Sequence, residues 1–279
     1  MVRLLSELPA SAYVMEEDKL RQNLSLIKNV SDRAGVEIIL ALKAFAQWRI
    51  FPIFKEYIPT TTASSPYEAR LSAEEFGALT YTYSPAYEKN TFSEILKFSH
   101  HITFNSLSQY HAFFPIVKKW LSEGGHEISL GLRVNPEYSD IATDLYNPCM
   151  KGSRFGVLKE DLPEQLPEGI EGFHFHCLCE SNAQSLVTVL IHLEQNFGKW
   201  LPRLKWLNMG GGHLMTRKGY DLDLLVNTLL FFKQKYPNLK IILEPGSAFL
   251  WQTGFLEASV VDIVESHAVD NFFSQPDVL

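Results

Sequence analysis

Eight short β-rich runs alternate with stretches of helical length along most of the chain, and no other feature of the sequence constrains the fold as tightly. The runs are VEIILAL (36–42), TTAS (61–64), LTYTYS (79–84), HITFNS (101–106), EISLGLRVN (127–135), GFHFHC (172–177), LKWLNM (204–209) and LKIILE (239–244). Between them lie PYEARLSAEEFG (66–77), EKNTFSEILKFS (88–99) and DLDLLVNTLLFFKQKY (221–236), the last closed by Pro237 and Asn238. Charged and apolar residues recur there at spacings of three and four rather than alternating, which is a helical period. Strands that alternate with helices pair in parallel. Eight such units predict an α/β fold of the (β/α)8 barrel type, whereas an open doubly wound sheet would not favour eight.

Composition narrows the partners. The chain has 279 residues, 46% of them hydrophobic and 20% charged, with a net charge of −7. That balance suits a globular protein, argues against nucleic acid and permits a cationic small molecule. No apolar run approaches the roughly 20 residues of a membrane span, and Glu7 and Pro9 interrupt any signal-peptide core. Three cysteines, with Cys177 and Cys179 crowded together, make no disulfide framework. The expectation is a reducing, cytoplasmic compartment.

Active sites of such barrels sit at the C-terminal ends of the strands. Taken in order, those ends carry Lys43, then Ser64 and Ser65, Arg133 with Asn135, His176, Gly210 to Gly212, and Glu244-Pro245-Gly246. Each residue alone has a plain structural reading. Gly210, Gly211 and Gly212 are either a flexible turn or bare backbone closing on a phosphate; the spacing matches neither a dinucleotide nor a nucleoside-triphosphate fingerprint. Lys43 is either a rim lysine or a desolvated, nucleophilic amine at the end of a buried strand. Glu244 either pairs with Arg133 or faces a cationic ring nitrogen, because an isolated buried charge is costly. Arg154, in GSRFG (152–156), either grips an anion or lies on the surface. HFHCLCE (174–180) suggests a metal site at first sight, but a strand period places its histidines and cysteines on opposite faces, so no metal is expected. His176 then reads as an aromatic plate or proton carrier, or as a satisfied core histidine.

Together these residues resemble the pyridoxal-phosphate decarboxylases of the alanine-racemase-like fold. GFHFHCLCES, LNMGGGHLMTRKGYD, NPCMKGSRFG and VVDIVES are similar to the carboxynorspermidine (carboxyspermidine) decarboxylase family, and the likeness covers nearly the whole chain. The resemblance implies that Lys43 carries pyridoxal 5'-phosphate as a Schiff base and that His176 stacks on its ring. It implies that Gly210, Gly211 and Gly212, with Gly246 nearby, hold the phosphate, and that Glu244 pairs with the pyridine nitrogen. Arg133 and Arg154 would arrange the surroundings of the ring. Ser247 stands where related basic amino-acid decarboxylases often carry an arginine, so the glycines would bear more of the phosphate. Glu180 and Asp144 are candidates for the distal amines of a polyamine-like substrate.

The resemblance also implies three parts: an N-terminal strand in 1–15 (AYVM), a cofactor-binding barrel over 16–250, and the start of a C-terminal β-domain in 251–279. LEASVVDIVES would be the first strand of that domain and FFSQPDVL a fragment of its next portion. Family members are homodimers in which this domain reaches the partner's active site. The expectation is therefore a C-terminally truncated, aggregation-prone chain that binds the cofactor but decarboxylates weakly or not at all. Diaminopimelate decarboxylase and a non-catalytic pyridoxal-phosphate-binding protein are the alternatives.

Overall fold

The computed structural model describes residues 11–265. The expectations for residues 1–10 and for FFSQPDVL lie outside the described residues. Along the chain run β1 (Ser11–Met15), α1 (Glu17–Ala34), β2 (Glu37–Ile38), β3 (Leu40–Ala41), α2 (Phe51–Phe54), β4 (Thr61–Ala63), α3 (Pro66–Leu71), β5 (Thr80–Tyr83), α4 (Phe92–Phe98) and β6 (Ser99–Phe104). Next come α5 (Leu107–Ser122), β7 (Ser129–Arg133), β8 (Ile170–His174), α6 (Ala183–Phe197), β9 (Trp206–Asn208), α7 (Leu222–Lys235), β10 (Lys240–Leu243), α8 (Ser247–Leu250) and β11 (Gly254–Ala258).

One parallel sheet runs β2-β10-β9-β8-β7-β6-β5-β4-β3. Its two ends are halves of a single strand. β2 pairs with β10, β3 pairs with β4, and Ile39 between them donates its N–H to the Leu243 carbonyl at 3.0 Å. The sheet therefore closes on itself as an eight-stranded barrel, and each of the eight β-rich runs overlaps one of its strands. The helical alternation holds with one exception. Between β7 and β8 the chain forms a long loop with only short 3-10 turns at Asp144–Tyr146 and Lys159–Asp161. Pro136, Pro148, Gly152, Gly156, Pro163 and Pro167 punctuate it, and that density of breakers prevents a helix.

Local chemistry starts the helices at the barrel rim. Ser65, Ser106, Asn182 and Asp221 each accept, through the side chain, an N–H three residues on, from Glu68, Gln109, Ser185 and Leu224 respectively. Glu68 and Gln109 reach back to the N–H groups of Ser64 and Asn105, so the first two caps are reciprocal. Each helix then turns one apolar stripe inward; α7 buries Leu225, Val226, Leu229 and Phe232 against the strands. Full burial of one such side chain stabilises by about 1.5–3 kcal/mol.

Outside the barrel, β1 pairs antiparallel with β11 from Ser11↔Ala258 to Met15↔Gly254. The strand expected in LEASVVDIVES thus starts earlier and stops at Ala258, spanning the five residues that face β1. Tyr13, Phe255 and Leu256 are exposed on this ribbon. No helix among the described residues is long and apolar enough to cross a membrane.

Candidate active site

The C-terminal rim encloses a cavity of about 270 Å³ lined by Lys43, His176, Glu180, Gly211, Gly212, His213, Glu244, Gly246 and Ser247, among others. A smaller space of about 40 Å³ lies against it, lined by Lys43, Thr62, Ser64, Glu68, Tyr83, Arg133, His174, His176 and Glu244. Residues scattered over two hundred positions of sequence are thus brought to one place.

Lys43 is exposed at this mouth, the rim position of the two that its sequence allows. The strand ends at Ala41, and Ala44 and Phe45 turn back with N–H bonds to the carbonyls of Ala41 and Leu42 at 3.0 Å each. That turn lifts Lys43 off the barrel wall. It is the only lysine or arginine lining the larger cavity among the described residues.

The glycines are required first by packing. Gly210 and Gly212 have φ of 66° and 91°, a left-handed backbone that side chains disfavour. A Cβ on Gly210 would meet the Phe175 carbonyl oxygen at 2.5 Å, one on Gly211 the Glu244 carbonyl oxygen at 2.5 Å, and one on Gly212 the Leu178 carbonyl oxygen at 2.2 Å. Two of the three N–H groups are already engaged. Gly210 donates to Asn208 Oδ1 and Gly211 to His176 Nδ1, each at 2.9 Å. Among the described residues the Gly212 N–H has no hydrogen-bond partner.

The Gly211 bond makes His176 Nδ1 an acceptor, so the neutral ring carries its proton on Nε2. Burial, and then the charges of Lys43 and Arg133, hold the His176 pKa well below the usual imidazole range. His174 is driven the same way by burial and then by Arg133. Both imidazoles are therefore neutral at pH 7.

Glu244 is buried and is not paired with Arg133. Its Oε1 accepts from Asn208 Nδ2 at 2.6 Å, while His174 Nε2 stands 3.9 Å from Oε2. Burial raises its pKa; Asn208, the charge of Lys43 and Thr62 only partly offset that rise. A buried carboxylate without a cation in contact is chemically matched to a protonated ring nitrogen placed against it.

Arg133 is a framework residue of the rim. Its guanidinium donates to Tyr83 OH at 2.7 Å and to the His176 carbonyl at 3.1 Å, and it lies 4.9 and 4.7 Å from the ring centres of Tyr83 and Phe155. Tyr83 in turn donates to Asn105, which holds Gly156 and the Arg154 carbonyl. Arg154 itself is exposed over the Phe155 ring and lines neither cavity. Asp144 is likewise exposed and off the lining. Glu180 lines both the larger cavity and an adjoining groove of about 420 Å³ shared with Asp140, Tyr146 and Arg217.

The strand period used for HFHCLCE holds only to His174, where β8 ends. Beyond it Cys177 is buried and Cys179 exposed. Among the described residues no three His, Cys, Asp or Glu side chains are placed to hold a metal ion. Asn208, His174, His213 and the Tyr83–Asn105 pair do not stand out in the sequence. The one signal for Asn208 is its position at the end of a strand, just before the glycines.

No protein-family model matches the chain. Individual proteins do. The chain is 45% identical over 262 residues to a carboxyaminopropylagmatine decarboxylase of Synechocystis, covering 94% of this chain and 66% of that protein. It is 44% identical to a carboxynorspermidine/carboxyspermidine decarboxylase of Campylobacter jejuni, covering 91% and 64%. A protein of the same name from Herminiimonas arsenicoxydans is 35% identical, with 90% and 67% covered. The crystal structure of the Campylobacter jejuni carboxynorspermidine decarboxylase complexed with norspermidine superposes with a TM-score of 0.82 at 42% identity, covering 93% and 65%. Diaminopimelate decarboxylase from Helicobacter pylori shares the fold, with a TM-score of 0.74 at 16% identity over 90% of this chain and 67% of that one.

Barrel and rim thus have the fold of amino-acid decarboxylases. The chain belongs to the carboxynorspermidine/carboxyspermidine decarboxylase family, and it spans about two thirds of the length of the curated relatives it matches.

Proposed function

We propose that the chain carries the cofactor site of a pyridoxal 5'-phosphate-dependent decarboxylase. It would convert carboxynorspermidine or carboxyspermidine to norspermidine or spermidine in polyamine biosynthesis, as a cytoplasmic homodimer. The observation that carries this reading is the convergence of Lys43, His176, Gly212, Gly246 and Glu244 on one cavity. When bound, the cofactor supplies an electron sink for the carbanion left by loss of CO₂.

The rest falls to side chains of this protein. Lys43 offers the amine that tethers the cofactor and, once released, a base at the mouth. Glu244 keeps a proton on the ring nitrogen, since an opposite charge favours the cationic form; the same cation reverses the rise in its own pKa. His176, its Nδ1 held by the Gly211 N–H, presents a fixed flat face. The free Gly212 N–H and the backbone around Gly246 and Ser247 meet the phosphate. Arg133 braces the His176 segment, and Arg154 reaches this site indirectly, through Phe155 and the Asn105 bond to its carbonyl. Glu180, with a strained φ of 50°, stands where a cationic chain would leave the cavity for the adjoining groove.

The β1–β11 ribbon is where a β-domain would join the barrel. CO₂ release from carboxynorspermidine, carboxyspermidine, carboxyaminopropylagmatine and diaminopimelate tests the substrate assignment. The first two are expected to turn over fastest; preference for diaminopimelate overturns the assignment.

A further inference from the structure

Two of the three cysteines are in contact, and neither lines the cavity or takes part in the chemistry proposed above. Cys149 lies in the β7–β8 loop and Cys177 just beyond β8, with their sulfurs 3.3 Å apart. Cys177 is 1% exposed, whereas Cys149 is half-buried. Both backbones are pinned: the Cys149 N–H donates to Asn147 Oδ1 at 2.8 Å, and the Cys177 carbonyl accepts from Ser139 Oγ at 2.6 Å. A disulfide sulfur–sulfur bond is about 2.05 Å long, so the pair must close by only about 1 Å.

The two thiols are unequal. The hydrogen bond shared with the Cys177 sulfur, and then the positive potential of the Arg133 guanidinium, hold Cys149 below the usual thiol range against the opposing effect of burial. Burial pushes Cys177 well up. The less buried cysteine is thus the better thiolate, and its neighbour is a protonated thiol in contact. That is the arrangement of a reactive and a resolving cysteine.

We propose that Cys149 and Cys177 are an oxidisable dithiol that a hydroperoxide converts to a disulfide, tying the β7–β8 loop to the segment that carries His176. The Cys149 thiolate attacks one oxygen of hydrogen peroxide. An S–O bond forms, the O–O bond breaks, and the departing hydroxide takes up the proton lost by Cys149 and leaves as water. The Cys177 sulfur then attacks the sulfenic sulfur of Cys149. An S–S bond forms, the S–O bond breaks, and hydroxide leaves with the Cys177 proton as a second water. Two thiols lose two electrons in all, and one peroxide is reduced to two waters. Because Cys177 follows His176, whose carbonyl binds Arg133, the cross-link acts directly on the framework of the rim.

The test is peptide mapping of the full chain after treatment with hydrogen peroxide and alkylation of the remaining thiols. The expected result is a cross-linked peptide joining Cys149 to Cys177, cleaved by dithiothreitol, with Cys179 still alkylated. In Cys177→Ser, oxidation should stop at a Cys149 sulfenic acid that dimedone traps and that the unsubstituted chain does not accumulate. The wild-type map needs no substitution, so a misfolded variant leaves the test intact. Absence of the Cys149–Cys177 peptide, a Cys177–Cys179 link in its place, or oxidation of Cys179 while Cys149 stays free would each overturn the proposal.

Discussion

The two ends of the barrel use buried polar groups in opposite ways. At the N-terminal end Trp206 fills the interior; a Cβ on Gly172 would lie 2.0 Å from its ring and one on Gly131 2.3 Å. Tyr81 stacks on His101 at 4.1 Å, and Ile39 and Ile242 complete the plug. Most polar atoms there are paired, His101 Nδ1 excepted: Trp206 Nε1 donates to Ser129, and Tyr81 OH donates to Glu37 while accepting from Lys240. At the C-terminal end, among the described residues, no cation contacts Glu244, and neither His174 Nδ1 nor either ring nitrogen of His213 has a hydrogen-bond partner. One end is a closed plug that stabilises the barrel. The other keeps buried polar capacity in reserve, which costs stability and suits a ligand site.

The largest expected difference comes from the plug. Trp206→Ala should destabilise by about 3–5 kcal/mol through the void it leaves, measured by denaturant unfolding. Lys43→Ala, at the exposed mouth, should stay within about 0.5 kcal/mol of the parent. Equal losses would erase the contrast between the ends.

Acid should act next. Burial lowers the pKa of His213 to about 4 and that of His101 to about 3, from 6.5 when unfolded. Below pH 6.5 the unfolded chain takes up protons that the folded chain refuses, so stability falls as pH drops toward 4. His213→Gln should flatten that slope in unfolding curves recorded across this range. Glu244 has the opposite sign. Its raised pKa makes the folded form bind the extra proton, so its contribution to stability declines as pH rises above 4.5. Glu244→Gln should therefore gain on the parent as pH rises, and a constant difference would refute the assigned burial cost.

The smallest effect is expected at Glu180. An exposed ion pair is worth about 0.2–1 kcal/mol, so Glu180→Gln should raise KM for a polycationic substrate by about two- to fivefold with kcat unchanged. A fall in kcat alone would move Glu180 into another role.

What the sequence disclosed divides along the same line. The strands and the rim positions are legible because period and order along the chain fix them: each strand-end residue comes where an apolar run stops. The missing β7–β8 helix is legible in principle from Pro136, Pro148 and Gly152, although alternation elsewhere suggests a helix. Contacts between strands are not legible. That Asn208 rather than Arg133 meets Glu244, and that the carbonyls of Phe175, Leu178 and Glu244 leave no room for a Cβ at Gly210 to Gly212, depends on how neighbouring strand ends meet across the barrel. Lys43 reads as either a rim lysine or a buried amine, because the short turn that lifts it to the mouth is invisible in its apolar surroundings.

The central claim is that this rim is a cofactor site built around Lys43. Titration with pyridoxal 5'-phosphate, followed by visible absorbance, tests it most directly. The predicted result is a new band, characteristic of lysine-bound cofactor, that saturates in the parent and is absent in Lys43→Ala. A parent chain without the band, or a Lys43→Ala chain that keeps it, would contradict the claim.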